Sequence, residues 1–385
     1  MFENKTILIT GGTGSLGKEL TKKLLETNVE KIRIFSREEF KQVKMQSELK
    51  DSRLRFLIGD VRDKDRLKRA ANGVDIIIHA AALKHIHVAE YNSFEAIKTN
   101  VTGSQNVVDV ALDEEVEFAL GIGTDKAVSP LNTYGATKLL MEKLFVTANN
   151  YSGKTRTKFA TVRYGNVLGS RGSILPIIYE QVKKGNKITL TDPSMTRFNI
   201  SMNQAIDLIF RAIKNGKGGE VFVPKLKAYK LETFFEAFSE IMDKKLEIEK
   251  IPVRSGEKFH ESLINTHELR NTYEDSNDYI VFDTLQENPL FLQRKDIKKT
   301  NRINEYSSDQ VELLSKNEIK DLLLQQEIFR EKLTWLLHPY FLIKLLYYSI
   351  FLYRCYNWSN IKLYFSKNDF ILCIKISTLV NTPHK

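Results

Sequence analysis

Residues 6–18 read TILITGGTGSLGK, and the junction inside that stretch decides the fold. TILIT (6–10) is an unbroken apolar run of the kind buried on both faces of a parallel sheet. Gly11, Gly14 and Gly17 follow where such a strand hands over to a helix. Glycine there permits a tight turn and a close backbone approach to a pyrophosphate, which meets the N–H groups at the helix N-terminus. Taken alone, the glycines fit a structural turn equally well. Between a strand and a helix they point to a dinucleotide site.

Outward from that junction the pattern repeats. KIRIFS (31–36), RLRFLIGD (53–60), DIIIHAA (75–81) and FALGIGT (118–124) are further apolar runs, and TKFATVRYGN (157–166) reads as a sixth strand. Helix-like segments at Lys18–Glu26, Glu39–Leu49 and Glu95–Leu112 lie between them. This alternation predicts an α/β fold, a Rossmann-type doubly wound parallel sheet over residues 1–170, with part of 198–215 packing back on it. GSRGSILP, ITLTDPSMTRF and IPVRSGEKFHE then predict a smaller, loop-rich α/β region over 171–300 that binds substrate. A helical segment over 301–330 follows, with Ser307 or Ser308 as its expected cap. No internal repeat is visible.

At 385 residues the chain can bury a substantial core. Its 58 Lys and Arg outnumber 48 Asp and Glu, for a net charge of +10. Acids are interleaved with the bases up to about residue 330, which reads as solvated surface and not as a nucleic-acid site. The opening MFENKTILIT lacks the pattern of a secretory signal. Both cysteines, Cys355 and Cys373, and both tryptophans, Trp335 and Trp358, fall late in the chain. A body without cysteine has no disulfide framework and no thiolate metal site, which suits the cytoplasm. Residues 331–385 form an atypical tail with seven Lys or Arg against two Asp or Glu. His338-Pro339 and Lys344 interrupt its apolar run. A spanning helix, a membrane-surface or partner-binding tail and a non-native extension all stay open for it.

The end of the second strand selects the dinucleotide. An NAD site usually places Asp or Glu there; this chain has Ser36 and Arg37, with Lys41 one helical turn on. A hydroxyl, a guanidinium and an ammonium suit the 2′-phosphate of NADP, the bland alternative being a solvated helix start. Asp60 and Val61, at the end of the third strand, are expected near the adenine. Tyr134 and Lys138 stand at i and i+4 and share a helix face. An ammonium beside a phenol lowers its pKa from about 10 towards neutrality, making a usable base. Lys138 can also hold the nicotinamide ribose. Thr124-Asp125-Lys126, at the end of the fifth strand, sets an acid beside a base, as either a second catalytic pair or a surface ion pair.

The chain resembles the extended short-chain dehydrogenase/reductases and, more narrowly, the inverting UDP-N-acetylglucosamine 4,6-dehydratases of pseudaminic acid and surface-polysaccharide synthesis. ITGGTGSLGK, FSREEFKQ, IGDVRD, HAAALKH, AEYNSFEAIKTNV, TDKA, YGATK, RYGNVLGSRGS, MTRF and RSGEKFHE carry the resemblance, from about residue 2 to 325. Three positions depart from the family pattern: Gly123 for a Ser before TDK, Asn199 for an aromatic after MTRF, and His87 for a Pro after AALKH.

The resemblance implies a 4,6-dehydratase in which Tyr134 takes the C4 hydroxyl proton as hydride passes to NADP⁺. Thr124 pairs with the C4 oxygen. A neutral Lys126 removes the C5 proton, and a protonated Asp125 gives its proton to the departing C6 hydroxyl. The cofactor is tightly bound and recycled, on Gly11, Thr13, Gly14, Ser15, Leu16, Gly17, Ser36, Arg37, Lys41, Asp60, Val61, Ala80, Ala82, Tyr134 and Lys138. Lys84 and Asn166 contact sugar and diphosphate. Ile174, Leu175, Pro176, Ile177 and Ile178 line the nucleotide cleft, and Arg197, Arg254 and Glu257 hold diphosphate and ribose. The implied substrate is UDP-N-acetylglucosamine or a similar UDP-sugar. The resemblance also implies a cytoplasmic homo-oligomer (a hexamer in the family), with no nucleic-acid partner and membrane contact, if any, through the tail. His79, His85 and His87 lack acidic or cysteine partners at ligand spacing, so no metal is expected. A UDP-sugar 4-epimerase would share the glycines and the Tyr–Lys pair but has no use for Asp125–Lys126. A non-catalytic NADP-binding protein would have no use for any of the four.

Overall fold

The computed structural model describes residues 1–153, 157–170, 172–185, 187–253, 256–282 and 294–329, with two short strands beyond them. Met1–Leu324 forms one compact unit and Gln325–Lys385 another.

The first unit opens with strands β1 (Thr6–Thr10), β2 (Lys31–Ser36), β3 (Leu54–Ile58), β4 (Ile76–His79), β5 (Phe118–Ile122) and β6 (Lys158–Val162). Helices α1 (Ser15–Leu25), α2 (Glu39–Leu49), α3 (Lys64–Ala71), α4 (Ile86–Tyr91), α5 (Ser93–Ile97), α6 (Gly103–Asp113) and α7 (Thr133–Ala148) connect them. The expected helix over 95–112 is therefore interrupted: a π-helical turn at Lys98–Thr102 separates α5 from α6. Such turns gather at functional sites.

After β6 come β7 (Asn166–Val167), α8 (Ile174–Lys183), β8 (Ile188–Leu190), β9 (Thr196–Ile200), α9 (Met202–Asn215), β10 (Glu220–Pro224), β11 (Ala228–Lys230) and α10 (Leu231–Met242). They are followed by β12 (Ile248–Lys250), β13 (Ser262–Ile264), β14 (Thr272–Glu274), β15 (Asp278–Phe282), β16 (Lys298–Lys299), β17 (Tyr306–Ser307) and α11 (Lys316–Leu324).

The main sheet runs β16-β14-β15-β10-β6-β5-β4-β1-β2-β3. From β3 to β10 neighbouring strands are parallel, and β15, β14 and β16 add antiparallel strands at one edge. The sheet thus draws strands from beyond residue 170. Its two faces are packed separately, as the two-residue period of a strand requires. Ile7 and Ile9 join a core with Leu20 and Leu24 of α1 and Ile206 and Ile209 of α9. Leu8 joins Leu67 of α3, Val107 of α6 and Phe145 of α7 on the other face. The chain reverses its order of travel at β1 and β4, and ligands of such sheets bind at the strand ends beside that switch.

One expected cap is corrected. Ser307 lies in β17, and Ser308 is buried against Thr196, their hydroxyls 2.7 Å apart. Ser315 caps α11 instead, accepting from the Glu318 N–H at 3.3 Å while the Glu318 carboxylate accepts from the Ser315 N–H at 2.8 Å. The readings made for the 331–385 tail fall outside the described residues, apart from the antiparallel pairing of β18 (Ile361–Tyr364) with β19 (Cys373–Ile376). No helix among the described residues is long and apolar enough to cross a membrane.

Candidate active site

The glycines of the first turn meet steric demands that no other residue satisfies. Gly11 has φ +67, and a Cβ there would stand 2.8 Å from the Ala81 backbone, which crosses above it from β4. A Cβ at Gly17 would stand 2.5 Å from the Gly12 carbonyl oxygen. Gly14 is the N-cap of α1 and gives it no side-chain cap, and the first turn carries no acid. Such a helix start leaves N–H groups for an anion, so the cradle fits a dinucleotide pyrophosphate. Thr13, Ser15 and Leu16 flank it, and Ala80 and Ala82 lie on either side of the crossing at Ala81.

The residues expected to select the dinucleotide lie at the neighbouring strand ends. Arg37 is exposed and lies 3.8 Å from Asp60, and Lys41 pairs with Glu38 at 2.5 Å. The Ser36 hydroxyl accepts from Gln42 at 3.0 Å. Burial alone would raise the Asp60 carboxyl, but hydrogen bonds from Arg62 at 2.7 and 2.9 Å bring it below the usual range. The Val61 side chain is buried, and its carbonyl accepts from the Asn106 amide at 2.9 Å.

Further along the sheet, β5 ends in Thr124 and a one-turn 3₁₀ segment at Asp125–Ala127. Asp125 Oδ1 accepts from the Thr124 hydroxyl at 2.8 Å, the Lys126 N–H at 2.9 Å and Lys126 Nζ at 3.1 Å. Its Oδ2 is buried and has no hydrogen-bond partner among the described residues. Lys126 Nζ also donates to Asn166 Oδ1 at 3.2 Å and lies 3.6 Å from Glu261 Oε1. Burial would lower this ammonium, but Asp125 and then Glu261 outweigh it and hold Lys126 above the usual lysine value. The expected neutral base and protonated acid are therefore corrected for the resting protein, in which the ion pair is present. The two forms differ by one proton moved across the 3.1 Å contact.

Helix α7 brings Tyr134 to this pair by a tight contact. A Cβ at Gly135 would fall under 3.0 Å from the Lys126 carbonyl oxygen, with Pro130 at 3.1 Å, so only glycine lets the helix sit there. Asn132 caps α7 by accepting from the Gly135 N–H at 2.8 Å, and its amide donates to the Gly256 carbonyl at 2.9 Å. Tyr134 pairs with the Thr124 hydroxyl; burial holds its phenol above the ordinary value, and the cation acting against that is Lys126. The expectation that Lys138 lowers Tyr134 is corrected accordingly. Lys138 is itself buried, and burial brings it down to about 8 against the opposing pull of Glu142.

On the substrate side, Arg197 and Glu257 pair with each other at 3.2 Å, and Arg197 also donates to the carbonyls of Thr196 and Phe259. Lys84 lies in the exposed turn after β4. The run from Ile174 to Ile178 does not act as a unit, because it is the first turn of α8. Leu175 and Ile178 are buried in the fold, while Ile177 is exposed. Arg254 lies outside the described residues.

His79 bridges Thr10 at 2.8 Å and Ser104 at 3.0 Å, and burial lowers it to about 3, so it is a neutral core residue. Among the described residues no cluster of His, Cys, Asp or Glu could hold a metal.

Four residues that the sequence reading passed over complete the site. Glu261, the last residue of RSGEKFHE, is 4% exposed and faces Lys126. Asn100, in the π turn, holds the loop after β4 through both Leu83 backbone groups and donates to Thr137 of α7 at 2.9 Å. Gly165, inside RYGN, lets Phe198 pack against the backbone beside Asp125: a Cβ there would stand 2.8 Å from the Phe198 Cβ and 3.6 Å from Asp125 Oδ2. Asn132 was legible as a polar cap ahead of YGATK.

A family model described as polysaccharide biosynthesis protein matches residues 7–283. A Methanocaldococcus jannaschii protein described as an uncharacterized membrane protein is 47% identical over 84% of this chain and 96% of its own length. A Campylobacter jejuni UDP-N-acetylglucosamine 4,6-dehydratase (inverting) is 45% identical over 74% of this chain and 85% of its own. A Rickettsia conorii UDP-glucose 4-epimerase is 39% identical over 86% and 99%. Among solved structures, Pen from Bacillus thuringiensis superposes with a TM-score of 0.80 at 38% identity, over 85% of this chain and 99% of its own. Match and geometry agree, and the chain belongs to the polysaccharide biosynthesis protein family, within the extended short-chain dehydrogenase/reductases.

Proposed function

We propose that this protein is a UDP-N-acetylglucosamine 4,6-dehydratase of the inverting kind, yielding UDP-2-acetamido-2,6-dideoxy-β-L-arabino-hexos-4-ulose and water. The observation that carries the reading is the buried Asp125–Lys126 pair beside Tyr134, with one Asp125 oxygen left bare. The cofactor is a nicotinamide dinucleotide, seated on the Gly11–Gly17 turn; Arg37 and Lys41 favour NADP. When bound, it accepts hydride from C4 and returns it to C6.

The residues' own work is proton transfer. Tyr134, paired with Thr124, takes the C4 hydroxyl proton as the phenolate, the form that burial opposes and the Lys126 charge favours. The resulting ketone acidifies C5. A proton moved from Lys126 to Asp125 arms both: the amine removes the C5 proton, C5=C6 forms, and the C6–O bond breaks as Asp125 protonates the leaving oxygen to water. That step ends with the ammonium–carboxylate pair of the resting protein; as hydride returns to C6, C5 takes a solvent-derived proton on the opposite face, and Tyr134 later releases its own to solvent. Asn166 and Lys84 hold the sugar and diphosphate, and Arg197, Arg254 and Glu257 the diphosphate and ribose.

Relatives named UDP-glucose 4-epimerase favour a second reading. An epimerase needs Tyr134 and Lys138 but leaves the acid–base pair idle. Incubation with UDP-N-acetylglucosamine in D₂O separates the two. The expected product has lost one water, carries deuterium at C5 and shows L-configuration in its proton couplings. Lys126→Ala should oxidise C4 more slowly, having lost the cation that acts on Tyr134, and release no water. A C4 epimer without water loss, or a retained D-configuration, overturns the proposal.

A further inference from the structure

Glu261 precedes β13, and its backbone is fixed on both sides by one residue. The Ser308 N–H donates to the Glu261 carbonyl at 2.8 Å, and the Glu261 N–H donates to the Ser308 hydroxyl at 2.9 Å. The carboxylate is thereby placed without help from its own oxygens. Oε1 lies 3.6 Å from Lys126 Nζ, and Oε2 is buried with no hydrogen-bond partner among the described residues.

Asp125 aside, the other buried carboxylates among the described residues are satisfied. Both oxygens of Glu142 accept from Arg163, both of Asp278 from Arg211, and both of Glu220 from backbone N–H groups. Among the described residues, the buried carboxylate oxygens left without a partner are Asp125 Oδ2 and Glu261 Oε2, and both belong to the groups around one lysine. A buried charge kept short of hydrogen bonds costs stability and is retained for another reason.

We propose that Glu261 is the positioning residue of the C5 base, a fixed negative charge whose stabilisation of Lys126 grows as the amine takes the C5 proton. The inference rests on the dehydratase reading above. Before elimination the armed Asp125–Lys126 pair is neutral; afterwards it is carboxylate and ammonium. A charge beside Nζ gains interaction only as the ammonium forms, which is differential stabilisation of the step and not uniform binding. At 3.6 Å it acts as a charge without competing with Asp125 for the transferred proton. Tyr134, Tyr229 and Lys258 also face the pair, Lys258 with its ammonium donating to the Val128 carbonyl. None of the three supplies an anion in its ordinary state.

The test uses the full chain with its cofactor, UDP-N-acetylglucosamine and the same substrate deuterated at C4 or at C5. Glu261→Gln keeps the shape and removes the charge. It should lower kcat roughly 10- to 100-fold with KM unchanged, below the ~10²–10⁴-fold worth of a whole acid–base group. The C5 isotope effect should rise, the C4 effect should fall towards unity, and reduced nicotinamide should accumulate during turnover. Glu261→Asp, which keeps the charge, should recover part of the loss. A lower kcat with both isotope effects unchanged, or an unchanged kcat, overturns the assignment while leaving the dehydratase reading in place. If the unmodified protein oxidises C4 but releases no water, that reading falls first, and the role of Glu261 with it.

Discussion

Gly135→Ala is the substitution that most directly tests how the site is assembled. Two effects compete. Alanine in a helix is favoured over glycine by about 1 kcal/mol. Against that, the added methyl would meet the Lys126 carbonyl oxygen under 3.0 Å, with the Lys126 carbonyl carbon and Pro130 each at 3.1 Å. Two of these three are backbone atoms of the catalytic turn and cannot swing aside. Overpacking of this kind costs roughly 1–3 kcal/mol, so the net loss of stability is about 0–2 kcal/mol, and the protein should still fold.

The catalytic cost is larger. Regaining ordinary contact requires the start of α7 to withdraw by ~1 Å, carrying Tyr134 away from Thr124 and Lys126, and a misplacement of that size can cost about 100-fold in rate. Thermal melting and single-turnover C4 oxidation on one preparation separate the two effects. Ala136→Ser, on the exposed side of the same turn, serves as the control. The expected result is a melting temperature within a few degrees of the parent and a rate down about two orders of magnitude. Wild-type turnover in Gly135→Ala would refute the claim that this contact sets the Tyr134–Lys126 geometry. So would a rate loss no greater than the unfolded fraction explains.

Two further outcomes follow from the charges. Arg37→Ala should weaken NADP by about 10- to 100-fold, from the ~1.5–3 kcal/mol of a charge-assisted contact, and leave NAD nearly unchanged; equal weakening of both in a titration would count against the 2′-phosphate assignment. Lys138→Met should abolish turnover yet raise the melting temperature at pH 7. The folded value of about 8 lies below the ordinary 10.5, so below pH 8 the protein buries a charge that the unfolded chain keeps in water. Between these values the unfolded chain binds more protons, stability rises with pH, and the advantage of methionine, of the order of 1–3 kcal/mol at pH 7, should vanish above about pH 10.5.

The parts legible in the sequence are those encoded by near neighbours. The first strand, its glycine turn and the Tyr134–Lys138 spacing are all local, and the structure keeps them where the periodicity put them. Ile174–Ile178 was misread for a local reason, since five consecutive residues of a helix cannot all face one cleft. Gly123 shows the converse. Its departure from the family serine was visible, but its cause was not: a Cβ there would stand 2.6 Å from the Val162 carbonyl oxygen of the adjacent strand. The protonation of the catalytic pair was out of reach for the same reason. Lys126 could be recognised as a base from its neighbours in sequence, and its neutrality inferred from the chemistry it must do. Its actual charge depends on Glu261, which arrives from a different element and is held there by Ser308. Asp125 and Glu261 together hold the proton on nitrogen. Arming the pair therefore requires substrate to change the balance between Lys126 and Asp125 across the 3.1 Å Nζ–Oδ1 contact, with Oδ2 left as the oxygen that has no donor of its own among the described residues.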